Sequence, residues 1–184
     1  LERALLRRMI SDVPVGIFLS GGVDSSTAVA MLSKHLSRLR TFTIAFPDDE
    51  YDESMYARAV ADTFGTQHQE YTCTPDDVRD VMRMLPEIYD EPFGDQSAVP
   101  TYLVSKLARD SVKVALSAEG GDELFAGYTR YALAMRWLKY PVPLRKLFSS
   151  LPERIALSIL RGMGIASAPN KVQRLKWLSG ARSP

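Results

Sequence analysis

The sequence predicts an α/β fold built on a doubly wound parallel sheet. Short apolar runs alternate along the chain with longer stretches whose apolar residues recur at helical spacing, a pattern typical of βαβ units. Glycine-rich segments directly follow two of the short runs, as they do where a strand turns into a helix. The 184 residues suffice for one domain with a substantial core. We expect residues 1–140 to form this domain and residues 141–184, after a break at Pro141 and Pro143, to form a helical extension.

Four short segments are predicted as strands of this sheet. They are residues 15–19, 41–46, 67–73 and 112–116. Segments 15–19 and 112–116 are mainly apolar, which is typical of strands buried on both faces. Segment 67–73 alternates in character, so we expect His68 at an edge of the sheet.

Helices are predicted between and after these strands. They cover residues 25–37, 52–64, 99–109 and 122–138, with one more opening at Pro75 and a last one ending at Gly180. Pro75 and the two aspartates after it suit the first turn of a helix. Met82 and Leu85 are expected on the apolar side of that helix, and Gly65 is expected to end the helix before it.

Composition excludes several classes of protein. No apolar run approaches the ~20 residues that cross a bilayer, and residues 1–11 lack the apolar segment of a secretory signal. The single cysteine, Cys73, excludes an internal disulfide framework and favours a reducing compartment, so we expect a cytoplasmic location. Neither His35 nor His68 has a partner at metal-ligand spacing.

Basic residues are concentrated in the last quarter of the chain. Residues 139–184 carry nine Lys and Arg against one acidic residue, whereas residues 1–138 carry 14 against 21. Such a segment either binds a polyanion or forms solvated helix faces. Interleaved aromatic residues that would stack on bases are sparse, so nucleic acid is not an expected partner.

The residues that indicate chemistry lie in two glycine-rich segments. The first follows the first predicted strand and reads Ser20-Gly21-Gly22-Val23-Asp24-Ser25-Ser26. Glycines let a backbone approach a ligand closely, and the start of the next helix offers unpaired N–H groups that suit phosphate oxygens. Asp24 would repel phosphate unless a cation lay between them, so it implies Mg²⁺. The Gly-Lys-Ser/Thr ending of a Walker A loop is missing, and the alternative is a plain turn with a serine cap.

The second segment also follows a predicted strand and opens a helix. It reads Ser117-Ala118-Glu119-Gly120-Gly121-Asp122-Glu123-Leu124-Phe125-Ala126-Gly127-Tyr128. Because the ends of parallel strands meet at one edge of a sheet, both segments can face a common ligand. Asp122 would be a second carboxylate for Mg²⁺, and Glu119 could move a proton. Taken alone, the acidic helix start is also explained by its favourable contact with the helix dipole.

These segments resemble those of a known family. The first is similar to the pyrophosphate-binding loop of the ATP-pyrophosphatase (PP-loop) superfamily, and the second to the SG(E/D)GxDELFGGY motif of asparagine synthetases and related amidotransferases. Ala118 and Ala126 stand where that motif usually has glycine. The resemblance continues in residues 11–16, in Asp52-Glu53 and in residues 90–102, so that it extends over residues 1–137.

The resemblance implies an adenine nucleotide α-hydrolase-like fold and a reaction in which ATP adenylates a carboxylate. It places the pyrophosphate group at Ser20, Gly21, Gly22, Asp24, Ser25 and Ser26. It places adenine beside Leu19, Ile44, Ala45 and Phe46, and the ribose or α-phosphate near Ser117 and Ala118. By the same resemblance, Asp24 and Asp122 would bind Mg²⁺, and Glu119 would deprotonate ammonia as it attacks the acyl-adenylate.

The family also implies partners. Aspartate is the default carboxylate, asparagine the product, and ammonia would come from glutamine through a glutaminase domain expected upstream. The family's catalytic lysine lies far downstream of the second segment, so we expect a piece of a longer enzyme, poorly active alone. The alternative is a short protein that uses free ammonia.

Residues 90–97 either shape the substrate side or form a polar turn that caps a helix. Another ATP-pyrophosphatase and a catalytically silent nucleotide-binding module stay open as rival functions, and so does the oligomeric state, a homodimer included.

Overall fold

The computed structural model of the chain describes residues 1–48, 52–91 and 94–162. The chain packs as two compact units, Leu1–Glu119 and a second unit that begins at Gly120. The predicted last helix, which ends at Gly180, lies outside the described residues, as do Pro92 and Phe93 of the 90–97 segment. Within the described ranges, no helix combines the length and the apolar character that are needed to span a bilayer.

Helices and strands alternate through the first unit, and the second unit is helical over its described residues. The first unit contains α1 Glu2–Arg8, β1 Val15–Phe18, α2 Val23–Leu32, β2 Arg40–Ala45, α3 Ser54–Phe64, β3 Gln67–Thr72, α4 Pro75–Ile88, α5 Ala98–Arg109 and β4 Val114–Leu116. The second contains α6 Gly121–Phe125, α7 Thr129–Leu138, α8 Val142–Ser150 and α9 Glu153–Gly162.

The four strands form one parallel sheet in the order β3-β2-β1-β4. From β1 the chain steps outward to β2 and β3, then returns to the other side of β1 to add β4. The direction of strand addition therefore reverses between β1 and β4, which is the defining feature of a doubly wound sheet. The predicted fold class is confirmed, and β3, which carries His68, is an edge strand as expected.

Helices cover both faces of the sheet. Successive residues of β1 point to opposite faces and so contribute to a core cluster on each side. One core cluster consists of Ile17, Leu19, Ala28, Val29, Leu32, Leu39, Ala57 and Ala61, from β1, α2, α3 and the turn before β2. Another consists of Phe42, Val104, Ala108 and Val112, with Phe18 packed against it. Helices α2 and α3 thus pack on one face and α5 on the other, as a layered α/β fold requires.

Local signals explain where two of the helices begin and end. Thr74 caps α4: its hydroxyl accepts a hydrogen bond from the Asp77 N–H at 3.2 Å, and the Asp77 carboxylate accepts one from the Thr74 N–H at 2.8 Å. Gly65 ends α3 with φ 63°, a left-handed conformation that glycine adopts without strain. Both boundaries were predicted from the sequence and are confirmed.

Other predicted boundaries were wrong. The helix expected over residues 25–37 begins at Val23 and ends at Leu32. Its last turn loosens where the Ser33 hydroxyl donates to the Ala30 carbonyl at 3.2 Å, a local bond that competes with the helix. The helix expected over residues 122–138 is divided into α6 and α7. The division follows Ala126, whose φ of 56° cannot continue a right-handed helix.

The fourth strand and one helix face also differ from expectation. The strand predicted over residues 112–116 starts at Val114, because the Val112 N–H instead donates to the Ala108 carbonyl at the end of α5. Val114 is 41% exposed, so this strand is not buried on both faces. On α4, Val81 is buried and Met82 is 59% exposed, which corrects the apolar role predicted for Met82.

Candidate active site

The two glycine-rich segments start at neighbouring strand ends. Strands β1 and β4 are paired in parallel, with Ile17 opposite Leu116, so the chain leaves both at the same edge of the sheet. Residues 20–26 follow β1, and residues 117–119 follow β4. Doubly wound sheets bind ligands at this position, where the strand order reverses.

Serine side chains hold the loop after β1 together. The Ser20 hydroxyl accepts a hydrogen bond from the Gly22 N–H at 3.2 Å and lies 3.1 Å from the Ser25 hydroxyl. The Ser25 hydroxyl in turn donates to the Gly22 carbonyl at 3.2 Å. Ser25 is 7% exposed, whereas Ser20 is exposed. Ser25 therefore stabilises the loop from within, and Ser20 is the hydroxyl that also faces solvent.

The two glycines of this loop have different surroundings. Gly21 has φ 84° and lies against the first turn of α3, where an added Cβ would approach Tyr56 Cβ to 2.5 Å. Gly22 has φ −66°, and among the described residues an added Cβ would meet only the Ser20 hydroxyl, at 3.3 Å. Gly21 is needed for packing within the protein, and Gly22 is the less crowded of the two, with a single side-chain neighbour among the described residues.

The start of α2 offers several hydrogen-bond donors. Gly22 is its N-cap, and among the described residues no side chain caps the helix. The N–H groups of Val23, Asp24 and Ser25 therefore have no partner within the described part of the chain, and the positive end of the helix dipole adds to their attraction for anions. Asp24 lies in this first turn and is half-buried. The Ser26 hydroxyl is buried and has no hydrogen-bond partner among the described residues.

The end of β2 lies beside the end of β1. The Leu19 N–H donates to the Phe42 carbonyl at 2.9 Å, and the Leu19 carbonyl accepts from the Thr43 hydroxyl. The Ala45 carbonyl faces β3, where it accepts from the Cys73 N–H at 2.8 Å. Because main-chain groups alternate sides along a strand, the N–H and C=O of Ile44 face the β1 side, beyond the last residue of β1. The Ile44 and Phe46 side chains are half-buried and pack against the core.

Asp52, between β2 and α3, has a structural role that was not predicted from the sequence. Asp52 Oδ1 accepts from the N–H groups of Phe46 at 3.2 Å and Ser54 at 3.1 Å, and Asp52 Oδ2 accepts from the Ser54 hydroxyl at 2.8 Å. Burial raises the pKa of Asp52, but the hydrogen bonds from Ser54 and Phe46 and the charge of Arg58 outweigh it, so the net pKa is lowered. The sequence signal that could have indicated this role is an aspartate two residues before the serine that begins α3. Such aspartates often accept a hydrogen bond from the backbone N–H two residues later.

The segment after β4 places its polar groups in solvent. Ser117 and Glu119 are exposed, and Ala118 is half-buried. Ala126 is the one non-glycine residue with positive φ among the residues that the structure describes, so Ala118 needs no glycine-like conformation. Gly120 supplies that conformation instead, with φ 89°.

In the second unit, Asp122 lies in the first turn of α6 and contacts the residues that end this short helix. The Gly127 N–H donates to the Asp122 carbonyl at 3.0 Å, and a Cβ on Gly127 would clash with the Asp122 carboxylate. The Tyr128 hydroxyl donates to the Glu123 carboxylate at 2.7 Å. Gly127 thus provides the space that the Asp122 side chain occupies.

The side chains of His35 and Cys73 are engaged elsewhere. His35 Nε2 lies 2.7 Å from a Glu2 carboxylate oxygen, in the turn after α2 rather than on the helix. Cys73 is buried, and burial raises the pKa of its thiol, which disfavours the reactive thiolate. No group of three or more His, Cys, Asp or Glu residues suited to a metal ion occurs within residues 1–48, 52–91 and 94–162.

Comparison with known proteins gives a consistent result. The sequence model of the asparagine synthase family matches residues 1–183. A putative glutamine-hydrolyzing asparagine synthetase 2 of Methanocaldococcus jannaschii is 48% identical over 150 residues, which cover 79% of this chain and 29% of that protein. A putative glutamine-hydrolyzing asparagine synthetase of Mycobacterium tuberculosis is 38% identical over 193 residues, covering 100% of this chain and 28% of that protein.

A third relative is the glutamine-hydrolyzing asparagine synthetase 1 of Bacillus subtilis, 41% identical over 126 residues that cover 67% of this chain and 20% of that protein. The chain spans less than a third of the length of these curated relatives. With a family match along nearly its whole length and a parallel α/β sheet of the expected kind, the chain belongs to the asparagine synthase family.

Proposed function

We propose that this chain is the ATP-binding part of an enzyme that joins ammonia to a carboxylate through an acyl-adenylate, with release of AMP and pyrophosphate. Aspartate is the carboxylate and asparagine the product that the relatives' names favour. One observation carries the proposal: the segments of residues 20–26 and 117–119 follow adjacent parallel strands at the point where the strand order reverses.

The first segment would bind the β- and γ-phosphates. The N–H groups at the start of α2, which have no partner among the described residues, and the exposed Ser20 hydroxyl are donors for phosphate oxygens. A phosphate oxygen would also give the Ser26 hydroxyl the acceptor that it lacks among the described residues. These donors would stabilise the charge that develops on pyrophosphate as it leaves.

The nucleoside would lie toward β2. The main-chain N–H and C=O of Ile44, which face the β1 side beyond its end, offer one donor and one acceptor for the edge of adenine. The Leu19 N–H and carbonyl are already engaged within the sheet and its side chain is buried in the core, so Leu19 would support the adenine site from beneath. Ser117 and Ala118, after β4, would lie toward the ribose or the α-phosphate.

Asp24 and Asp122 would hold Mg²⁺. Both are carboxylates, the ligands that Mg²⁺ prefers, and a site with two protein ligands leaves room for phosphate oxygens and water. A bound Mg²⁺ would neutralise negative charge on the triphosphate. Asp24 on the first turn of α2 would otherwise repel the phosphates that the helix attracts, so its presence there supports a cation.

Glu119 would accept the proton that ammonia loses as it attacks the activated acyl group. The residue is exposed, follows β4 by two residues and is flanked by Gly120, whose positive φ turns the chain. Ammonia would be released from glutamine by a glutaminase domain elsewhere in the complete protein. A cytoplasmic location stays a prediction from the use of a single cysteine.

The decisive test is product analysis with the complete protein in which this chain occurs, ATP, Mg²⁺ and a panel of carboxylates that includes aspartate. We expect AMP and pyrophosphate in equal amounts, dependent on the carboxylate. ADP and phosphate in their place would contradict adenylation. Adenylation of a substrate other than a carboxylate would favour another ATP-pyrophosphatase, and nucleotide binding without products would favour a silent module.

A further inference from the structure

Asp52 connects the end of β2 with the start of α3, the helix whose first turn lies against Gly21 in the loop after β1. Its carboxylate accepts from the Phe46 N–H, where β2 ends, and from both the N–H and the hydroxyl of Ser54, where α3 begins. Ser54 is 0% exposed and Asp52 is half-buried, so these bonds are partly shielded from water. A carboxylate that accepts three hydrogen bonds in this way holds the end of β2 and the start of α3 together.

The first turn of α3 is the surface on which Gly21 packs. An added Cβ on Gly21 would lie 2.5 Å from Tyr56 Cβ and 2.7 Å from the Ala57 nitrogen. These two residues come two and three positions after Ser54, within the turn that Asp52 holds. Because interiors are close-packed, a shift of this turn would move the loop after β1 with it.

The chain of contacts continues outward to the edge strand. Arg58 donates to the Ser54 hydroxyl at 2.8 Å and to the Glu70 carboxylate on β3 at 2.9 Å. The Arg58 side chain is 55% exposed, so its ion pair with Glu70 is screened by water and contributes less than the part-buried bonds of Asp52. Asp52 is therefore the central member of the network.

We infer that Asp52 is a positioning residue for pyrophosphate binding, an inference that rests on the proposed function of the loop. Asp52 acts through Ser54 and the first turn of α3, which hold Gly21 and thereby aim the N–H groups at the start of α2. The side chain itself touches no substrate. Loss of its hydrogen bonds lets the turn move, and the loop then binds pyrophosphate less tightly.

The test uses the complete protein with Asp52→Ala and Asp52→Asn. Asp62→Asn, on the exposed side of α3, is the matched control. The readouts are the Kd of inorganic pyrophosphate by calorimetry and the KM values for ATP and the carboxylate, all measured well below each variant's Tm. For Asp52→Ala we expect the pyrophosphate Kd and the KM for ATP to rise about tenfold while the KM for the carboxylate stays within about twofold.

Asp52→Asn should give a smaller rise, about threefold, because one amide oxygen can still accept from the two N–H groups. Asp62→Asn should match the parent protein. A lower Tm with an unchanged pyrophosphate Kd would overturn the inference, since it would reveal a purely stabilising role. If Asp52→Ala does not fold, Asp52→Asn decides by the same criterion.

Failure of the inference differs from failure of the proposed function. If the parent protein binds pyrophosphate and releases it from ATP while both Asp52 variants behave like the parent, only the role of Asp52 is wrong. If the parent protein neither binds pyrophosphate nor releases it from ATP, the proposed function fails and the role of Asp52 fails with it.

Discussion

Gly21 lies so close to Ala57 that a Cβ atom on the glycine would come within 2.7 Å of the Ala57 backbone nitrogen. Its φ of 84° is also unfavourable for any residue with a side chain. Two independent constraints thus require glycine at this position, and both arise inside the protein. The sequence indicated that the glycines of this loop give access to a ligand, and Gly22 is better suited to that role because it is the less crowded of the two.

Gly21→Ala should therefore lower stability more than an ordinary glycine substitution. We expect a loss of about 2–4 kcal/mol in the free energy of unfolding, from the combined backbone strain and steric overlap. Gly65→Ala is the matched control: φ is 63°, and no described atom lies within 4 Å of its added Cβ, so it should lose only about 1 kcal/mol. Urea denaturation measures both, and equal losses would contradict the packing argument.

Ala126→Gly should stabilise the protein. Ala126 ends α6 with φ 56°, a conformation in which alanine is strained and glycine is not. We expect a gain of about 0.5–1 kcal/mol in the free energy of unfolding. Ala118→Gly is the control, because Ala118 has no positive φ and glycine there should give no gain. A loss of stability in Ala126→Gly would show that the strain is absent.

His68 should make stability depend on pH. Its Nδ1 lies 2.9 Å from the Thr41 hydroxyl, which lies 2.8 Å from the Thr66 hydroxyl, and Nε2 is buried without a hydrogen-bond partner among the described residues. Burial lowers the pKa of His68 below 6.5, an effect that Glu70 and Asp62 oppose and Arg58 reinforces. The unfolded chain therefore takes up this proton at a higher pH than the folded one. The contribution of neutral His68 to the free energy of unfolding is therefore complete above pH 6.5 and is lost as the pH falls below that value.

The slope that His68 adds is at most about 1.4 kcal/mol per pH unit. Urea denaturation between pH 7.5 and 5.5 should show it in the parent protein and in His35→Gln, which leaves His68 in place. His68→Gln should flatten the curve over the same range. If the parent and His68→Gln have the same slope, another group is responsible.

Asp24→Asn should abolish most turnover if this carboxylate binds Mg²⁺. We expect kcat of the complete protein to fall at least about 100-fold, since the charge on the leaving pyrophosphate is then poorly neutralised. The rate should also need more Mg²⁺ to reach its maximum. Asp110→Asn, an exposed position at the end of α5, is the charge-matched control and should keep the parent rate. A normal rate and normal Mg²⁺ dependence in Asp24→Asn would show that the metal assignment is wrong.

The sequence predicted the order of strands and helices because its signals there are local. These signals are the apolar run before Ser20, Pro75 at the start of α4, and Gly65 at the end of α3. Each acts through its own backbone or that of its neighbours. The parallel sheet followed from the alternation of these elements, and its pairing confirmed it.

Features that depend on distant neighbours could not be predicted in this way. The role of Gly21 is set by α3, more than thirty residues later, and that of Asp52 by the end of β2 and the start of α3 together. The positive φ of Ala126 was also missed, because alanine favours continuation of a helix and only the surrounding structure imposes the break. Exposure of Val114 and Met82 likewise depends on which neighbours cover each element.

The pairing of β1 with β4 also has a consequence for folding. It joins Val15 to Val114, about a hundred positions apart, so the entropy of closing a long loop must be overcome before the two strands meet. During synthesis, the β1 loop leaves the ribosome long before residues 114–119 exist. In an intermediate made of the first three strands, residues 117–119 are not yet in place beside the loop after β1. If nucleotide binds at these two segments as proposed, it can assist only the last step of folding.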